Sequence, residues 1–438
     1  MSRARAAGAT GERTFDALRA GGFAEAELFT KRSRSRVATW EPDRQSSSGA
    51  EEAGWAVRAS AGEGAIHLAG TGEPPRAGPW PAPAPPALAL PRPDSAAPSW
   101  LEPEDLDSPL LGEGEAMALL RSLAARVRAE HPQARLLRAT LEDGIAEIEI
   151  RNSHGIGAAH RTRVATLHLW AALGEVESQV YVAAREPRRF VVGSLARRLA
   201  DQLVVLAGGV PPAARSETPV VLGGEVMAEL LDAIAGLWTD PAQRHALQQW
   251  AAPGERLGSE WVSVTDDGRL ADGLLSAPVD GEGMPTARVA LVEAGVARGV
   301  LRSWRAAGED GPAVGCLRRP GWRDLPQPGP SHLYLEPDRG TAPGELVAGL
   351  ERGCYFLGLD GAVRVDWAEG RLEAPVYGFA IERGRPAQPI RGAWLRTTVP
   401  ALFVGVSRVA RDLRFLPRRG GCVGAPTVRV EEVSVEPG

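Results

Sequence analysis

Lysine is almost missing from this chain. Lys31 is the only one among the 50 basic residues of a 438-residue sequence, so neither a Schiff-base lysine nor a phosphate-loop lysine can be placed after residue 31. Cysteine is nearly as scarce. Cys316, Cys354 and Cys422 are odd in number and far apart, and neither a disulfide framework nor a Cys-x-x-Cys metal knuckle can be drawn from them. No apolar run approaches the twenty or so residues of a membrane span. Residues 1–23 alternate arginine, glycine and alanine without the apolar core of a secretion signal, so a reduced, cytoplasmic setting without membrane contact is expected. Clustered positive charge is lacking too: the net charge of −5 argues against a nucleic-acid partner. The remaining balance, 44% hydrophobic and 24% charged, is that of an ordinary globular protein long enough for two or three domains.

Along the chain, residues 1–13 read as a frayed arm, 14–19 as a short helix stopped by Gly21-Gly22, and 26–40 as a strand. Arg32, Arg34 and Arg36 alternate there with Ser33 and Ser35. No aromatic platform is interleaved, which favours a solvated sheet face over a nucleic-acid surface. A polar turn is expected at 45–49 and a further strand from Gly54. Proline and alanine dominate residues 70–99, a linker or a draped insertion in polyproline conformation. A helix follows at 115–130 through Met117, Leu120, Leu123 and Val127, ended by His131-Pro132. Strands are then expected at 145–150, 163–173 and 176–183, and a helix from Ser194, as its N-cap, to Gly208.

Three groups of residues invite chemistry. Asn152-Ser153-His154-Gly155-Ile156-Gly157 could cradle a phosphate, but the third glycine and the βαβ setting are missing. His154, His160 and His168, six and eight apart with no cysteine nearby, do not match a common zinc spacing. Asp266, Asp267, Asp280 and Glu282 could supply a paired acid and base, although Asp-Asp-Gly and Asp-Gly-Glu-Gly are also strong turn sequences.

The chain is organised around residues 218–238. A short buried strand (Val220, Val221, Leu222) leads through Gly223-Gly224 into a helix whose Val226, Leu230, Ile234 and Leu237 recur at helical spacing. This segment resembles the metal-site segment of the TldD/PmbA (modulator of DNA gyrase) family, where a similar strand, turn and helix carry His-Glu-x-x-x-His. The six matching positions here are Asp232-Ala233-Ile234-Ala235-Gly236-Leu237. Further resemblances follow in the family's order: Val264-Thr265-Asp266-Asp267-Gly268, Asp280-Gly281-Glu282-Gly283, Ala290-Leu291-Val292-Glu293-Ala294-Gly295, Gly353-Cys354-Tyr355-Phe356 and Pro389-Ile390-Arg391-Gly392.

Departures from the pattern bear directly on function. Two ligands five apart sit roughly 140° apart on a regular helix, so they converge on one ion only where the helix widens, a distortion that Gly236 would permit. A hydrolytic zinc site needs about three ligands, an open position and a base. Asp232 offers one oxygen, Ala233 cannot take a proton, and Leu237 cannot ligate. Cys422 lies near the region of the family's third ligand but too close to Pro426-Thr427 to match it, and the family's Ser-Thr-Gly-Asn loop is replaced by 313–320.

The resemblance implies an α+β fold, a two-part α/β N-terminal region followed by a β-rich C-terminal domain. The expected division is 1–70, a 71–110 insertion, 111–215, and 216–438 with the degenerate motif. It implies a PmbA/TldE-type member without metal, cofactor or catalytic residues of its own. Its partner would be a TldD-type zinc peptidase subunit acting on unfolded peptides. Two alternatives stand beside it: a hydrolase with a relocated site built from His154, His160 or the four carboxylates, and a stand-alone homodimeric peptide-binding or regulatory protein.

Overall fold

A computed structural model describes residues 2–93, 106–239, 250, 252–305, 315–418 and 420–438. The chain opens with helix α1 (Ser2–Ala20), strands β1 (Glu25–Glu41), β2 (Arg44–Ala61) and β3 (Gly64–Thr71), helix α2 (Glu113–Glu130), strands β4 (Arg135–Asn152), β5 (Gly157–Leu173) and β6 (Val176–Ala184), and helix α3 (Val192–Gly208). The six strands form one antiparallel sheet in the order β3-β2-β1-β4-β5-β6. Leu28 is opposite Val57 on one side and Arg151 on the other, so strands before and after the proline-rich insertion share a single sheet.

Alternation along the strands sorts the two faces. On one face, Leu28 and Val57 pack with Leu18 of α1, while Leu141 and Leu167 pack with Leu120 and Leu123 of α2 and Leu199 of α3. α2 buries Ala116, Met117, Leu120, Leu123 and Val127, the stripe expected of an amphipathic helix. On the opposite face Phe29, Ala56 and Ile150 meet Val279 and Trp322 of the C-terminal region. The sheet is thus sandwiched between helices and the second half of the molecule.

That second half begins with β7 (Ser216–Leu222), α4 (Gly224–Ala233), α5 (Gly236–Thr239) and β8 (Val264–Asp267). β8 belongs to a six-stranded sheet with strands Arg288–Glu293, Val296–Ala297, His332–Leu335, Gly421–Ala425 and Arg414–Arg418. β7 lies between strands Arg352–Leu359 and Val428–Pro437 in a seven-stranded sheet. Strand Arg352–Leu359 pairs both with β7 and with Arg371–Glu382, closing this sheet into a ring. One apolar core, including Leu230, Ile234, Leu237, Trp238, Phe356 and Phe403, fills the C-terminal domain. The expected α+β fold with a β-rich C-terminal domain is therefore what the chain adopts. Among the described residues no helix is long and apolar enough to cross a membrane.

Several local expectations differ from what is found. α1 runs back to Ser2 where a frayed arm was expected; alanine, the best helix former, recurs through that segment. The β1–β2 turn falls at Pro42-Asp43, where proline presets the backbone, and residues 45–49 pair with 36–40 inside the hairpin. Val191, without a side-chain cap, precedes α3, and Ser194 lies within its first turn. Of the proline-rich insertion, residues 71–93 are laid along the sheet. Ala84 bridges Ala65, Trp80 meets the edge of Phe23, and Asn152 Nδ2 donates to the Pro91 carbonyl at 2.7 Å. Residues 94–105 lie outside the described residues.

Candidate functional site

The degenerate motif follows a tightly enclosed turn of the C-terminal domain. Gly223 donates to the Phe356 carbonyl at 2.9 Å, and any side chain at Gly224 would strike the Ala425 carbonyl, so the Gly-Gly turn lets two strands and a helix converge. α4 then stops at Ala233, four residues short of Leu237. Beyond it Ala235 N–H bonds to the Asp232 carbonyl, Leu237 to Ile234 and Trp238 to Ala235, all at 3.0–3.1 Å. These are three-residue closures. The helix tightens where a converging pair of ligands would need it to widen.

The three motif positions go separate ways. Asp232 Oδ2 accepts from Arg418 Nε at 2.5 Å, and Glu229, three residues earlier on the same face of α4, pairs with Arg418 Nη2 at 2.6 Å. A guanidinium therefore fills the space between the carboxylates. Ala233 lines a cleft of about 540 Å³. Leu237 is 1% exposed and belongs to the core. One paired carboxylate, a methyl and a buried aliphatic side chain do not fit a zinc ion. Among the described residues no group of three histidine, cysteine, aspartate or glutamate side chains is placed to hold a metal.

The cleft lies between the N-terminal sheet and α4. Ser178 and Gln179 of β6, Gln202 and Leu206 of α3, and Glu225, Glu229 and Asp232 of α4 line it, with residues 359–363 and Tyr377 opposite. Glu225 is ion-paired with Arg198. Burial holds its carboxyl above the usual range even so.

The other candidates are each held by partners of their own. His154 Nε2 meets Glu25 Oε1 at 3.0 Å, His168 meets Gln179 and stacks on Trp170, and His160 is buried in β5. Asp266 accepts the backbone N–H groups of Ser331 and His332, and Asp267 accepts that of Arg269. Asp280 accepts three N–H groups, from Glu282, Met284 and Leu317, at 2.9–3.0 Å, pinning the turn that Gly283 closes with φ of 85°. Glu282, which reads as a turn residue, is fully buried against Arg58. These side chains do not converge on one cleft.

Cys422 is buried on its strand, level with His332, and burial pushes its thiol up to about 12. His332 had no signal in the sequence. Its Nδ1 donates to the Asp267 carbonyl and its Nε2 accepts from Leu275 N–H, so the ring is neutral with both nitrogens engaged; burial lowers it to about 4. Of residues 313–320, Ala313 and Val314 lie outside the described residues, and Leu317 serves as one of the donors to Asp280.

A pH dependence follows from the two buried aspartates. Burial raises both Asp266 and Asp280 to about 6, against about 3.9 in an unfolded chain. The native state then binds more protons between those values. These groups make the unfolding free energy fall as pH rises from about 4 to 6, with no further change above. Carboxyl-carbon NMR should find two aspartates titrating near pH 6. Midpoints near 4 would show instead that the backbone donors outweigh burial.

Residues 215–437 match the family model described as the PmbA/TldA metallopeptidase C-terminal domain. A metalloprotease from Methanothermobacter thermautotrophicus is 30% identical over 191 residues, 42% of this chain and 41% of that protein. A TldD homologue metalloprotease from Haemophilus influenzae is 26% identical over 231 residues, 50% and 48% of the two chains. The matched stretch thus spans less than half the length of either relative. The crystal structure of TldE from Thermococcus kodakarensis superposes with a TM-score of 0.82 at 19% identity, covering 97% of this chain and 100% of that one, which establishes a common fold. With a family match across its C-terminal half, the chain belongs to the TldD/PmbA family.

Proposed function

We propose that this chain is the non-catalytic, TldE/PmbA-type subunit of a zinc metallopeptidase complex acting on unfolded peptides in the cytoplasm. Its partner is a TldD-type subunit that brings the metal; no nucleic acid or membrane takes part. The observation that carries this reading is Arg418 seated between Glu229 and Asp232. A fixed guanidinium supplies positive charge there but has no coordination position for water and cannot polarise one as a Lewis acid does. Ala233 lacks the proton acceptor, and losing a positioned base costs on the order of 10²- to 10⁴-fold in rate. The division 1–70, 71–110, 111–215 and 216–438 would then describe a scaffold, with the cleft beside α4 as one wall of a peptide path.

Purified alone, the chain should hold substoichiometric zinc and leave an unfolded peptide intact. From its native cell it should co-purify with a zinc-bearing subunit whose peptidase activity a chelator abolishes. Chelator-sensitive cleavage by the isolated chain, or failure to find such a subunit, would overturn the reading.

A further inference from the structure

Five carboxylates line the cleft beside α4: Glu177, Glu225, Glu229, Asp232 and Asp360. Three arginines meet them. Arg198 pairs with Glu225, Arg418 is shared by Glu229 and Asp232, and Arg391 reaches Asp360 at 3.4 Å. A fourth arginine, Arg414, lies near Glu225, so one carboxylate is in surplus and Glu177 has no ion-pair partner among the described residues, in a concavity whose volume is that of a small-ligand site. Acidity alone would not make it one. The second observation is Tyr377, which is 6% exposed, lines the cleft, and has no hydrogen-bond partner for its hydroxyl among the described residues. Gly358 leaves room for that hydroxyl, since a side chain there would collide with it. The hydroxyl itself is not sealed from solvent, so it opens to the cleft with its hydrogen-bonding capacity unused. Gln202, 4% exposed, is similar: Oε1 accepts from Ser178 at 3.3 Å, while Nε2 finds no partner among the described residues.

These groups ask for a ligand of mixed character. The surplus carboxylate calls for a cation, and the Gln202 amide N–H groups call for an acceptor. Leu206, Leu359 and Val363 offer apolar surface for methylene groups. A bare metal ion would satisfy only the first requirement. We propose that the cleft binds a basic peptide segment, a lysine or arginine side chain entering among the carboxylates while its backbone carbonyls meet Gln202 and Tyr377. Burial, with the nearby Glu225 carboxylate, raises the Tyr377 phenol, which therefore stays neutral and able to donate. The site gives the proposed peptide path a preferred substrate class and rests on that reading for its physiological role. The binding itself is a property of this chain.

The test is calorimetric titration of the full purified chain with an end-blocked alanine hexapeptide carrying two adjacent lysines, and with its two-glutamate counterpart. The lysine peptide should bind at least about tenfold more tightly, with an affinity that falls as salt is added. Tyr377→Phe should weaken it about three- to tenfold, the worth of one hydrogen bond, without lowering the unfolding midpoint, because no internal partner is lost. Asp360→Asn, at a half-exposed position, should weaken it several-fold. Equal affinity for the two peptides, no binding of either, or an unchanged affinity in Tyr377→Phe would each overturn the site. Lysine-selective binding by a chain that recruits no zinc subunit would sink the subunit assignment alone. A zinc complex without lysine preference would sink this site alone.

Discussion

Arg58→Met should lower the unfolding free energy by about 3–5 kcal/mol, read as a drop in the urea midpoint with an unchanged slope. Arg58, on β2, is 4% exposed. Its Nε and Nη2 donate to both oxygens of Glu27 on β1, at 2.9 and 2.5 Å, and Nη2 also reaches Glu282 at 2.7 Å. Glu282 is held in turn by Arg305 at 2.6 Å and Trp304 Nε1 at 2.5 Å. Arg319 pairs with Glu27 from the C-terminal side and lies 4.8 Å over the Phe29 ring. The N-terminal sheet and the C-terminal domain are thus joined through largely buried charge. Methionine keeps most of the volume of Arg58 but removes three charge-assisted hydrogen bonds from two buried carboxylates, which keep only Arg319 and Arg305 as cationic partners, and each such bond is worth about 1.5–3 kcal/mol. Arg19→Met provides the contrast. The side chains of Arg19 and its partner Asp16 are both 72% exposed, and no measurable loss is expected. A loss at Arg58 no greater than that at Arg19 would mean that water enters the interface.

How much of this could be read from the sequence depends on how local each signal is. The apolar stripe of α2 and the alternation of β1 are local, and both elements stand where their residues put them. The strand, Gly-Gly turn and helix around Asp232 were legible for the same reason. The end of α4 was not, because Val226, Leu230, Ile234 and Leu237 keep helical spacing across the break, and all four are buried on either side of it. Arg418 is 186 positions from Asp232, and Arg58 is 224 from Glu282. No spacing rule links residues so far apart; only the closed ring of strands and the stacking of sheet on domain bring them together. Glu229 could have been suspected, since it stands three residues before Asp232 on the same helical face. The four carboxylates show the opposite failure. Turn chemistry correctly described Asp280, yet the same composition offered Glu282 only a turn and gave no sign of the Arg58 partner and complete burial that tertiary packing supplies.

Placing a histidine where the sequence aligns with the second histidine of His-Glu-x-x-x-His gives the sharpest test of the proposed absence of a metal site. Leu237→His should cost about 3–5 kcal/mol in unfolding free energy and add no zinc binding. Leu237 packs in the same core as Trp238, Val262 and Phe403 at 1% exposure. Removing its branched side chain forfeits burial and leaves imperfect packing, by analogy worth about 2–5 kcal/mol in large-to-small changes. The imidazole then adds a buried polar group without a partner, at about 1–3 kcal/mol, partly offset by the volume it refills. The three-residue closures after Ala233 fix position 237 toward the core, while Asp232 sits a third exposed in the cleft with its carboxylate committed to Arg418. A histidine at 237 and a carboxylate at 232 therefore do not address the same point. Denaturant titration gives the stability change and competition with a zinc indicator gives the metal affinity. A stable Leu237→His protein that acquires tight zinc would show that the widened helix lies within easy reach, and would count against the proposed absence of a metal site.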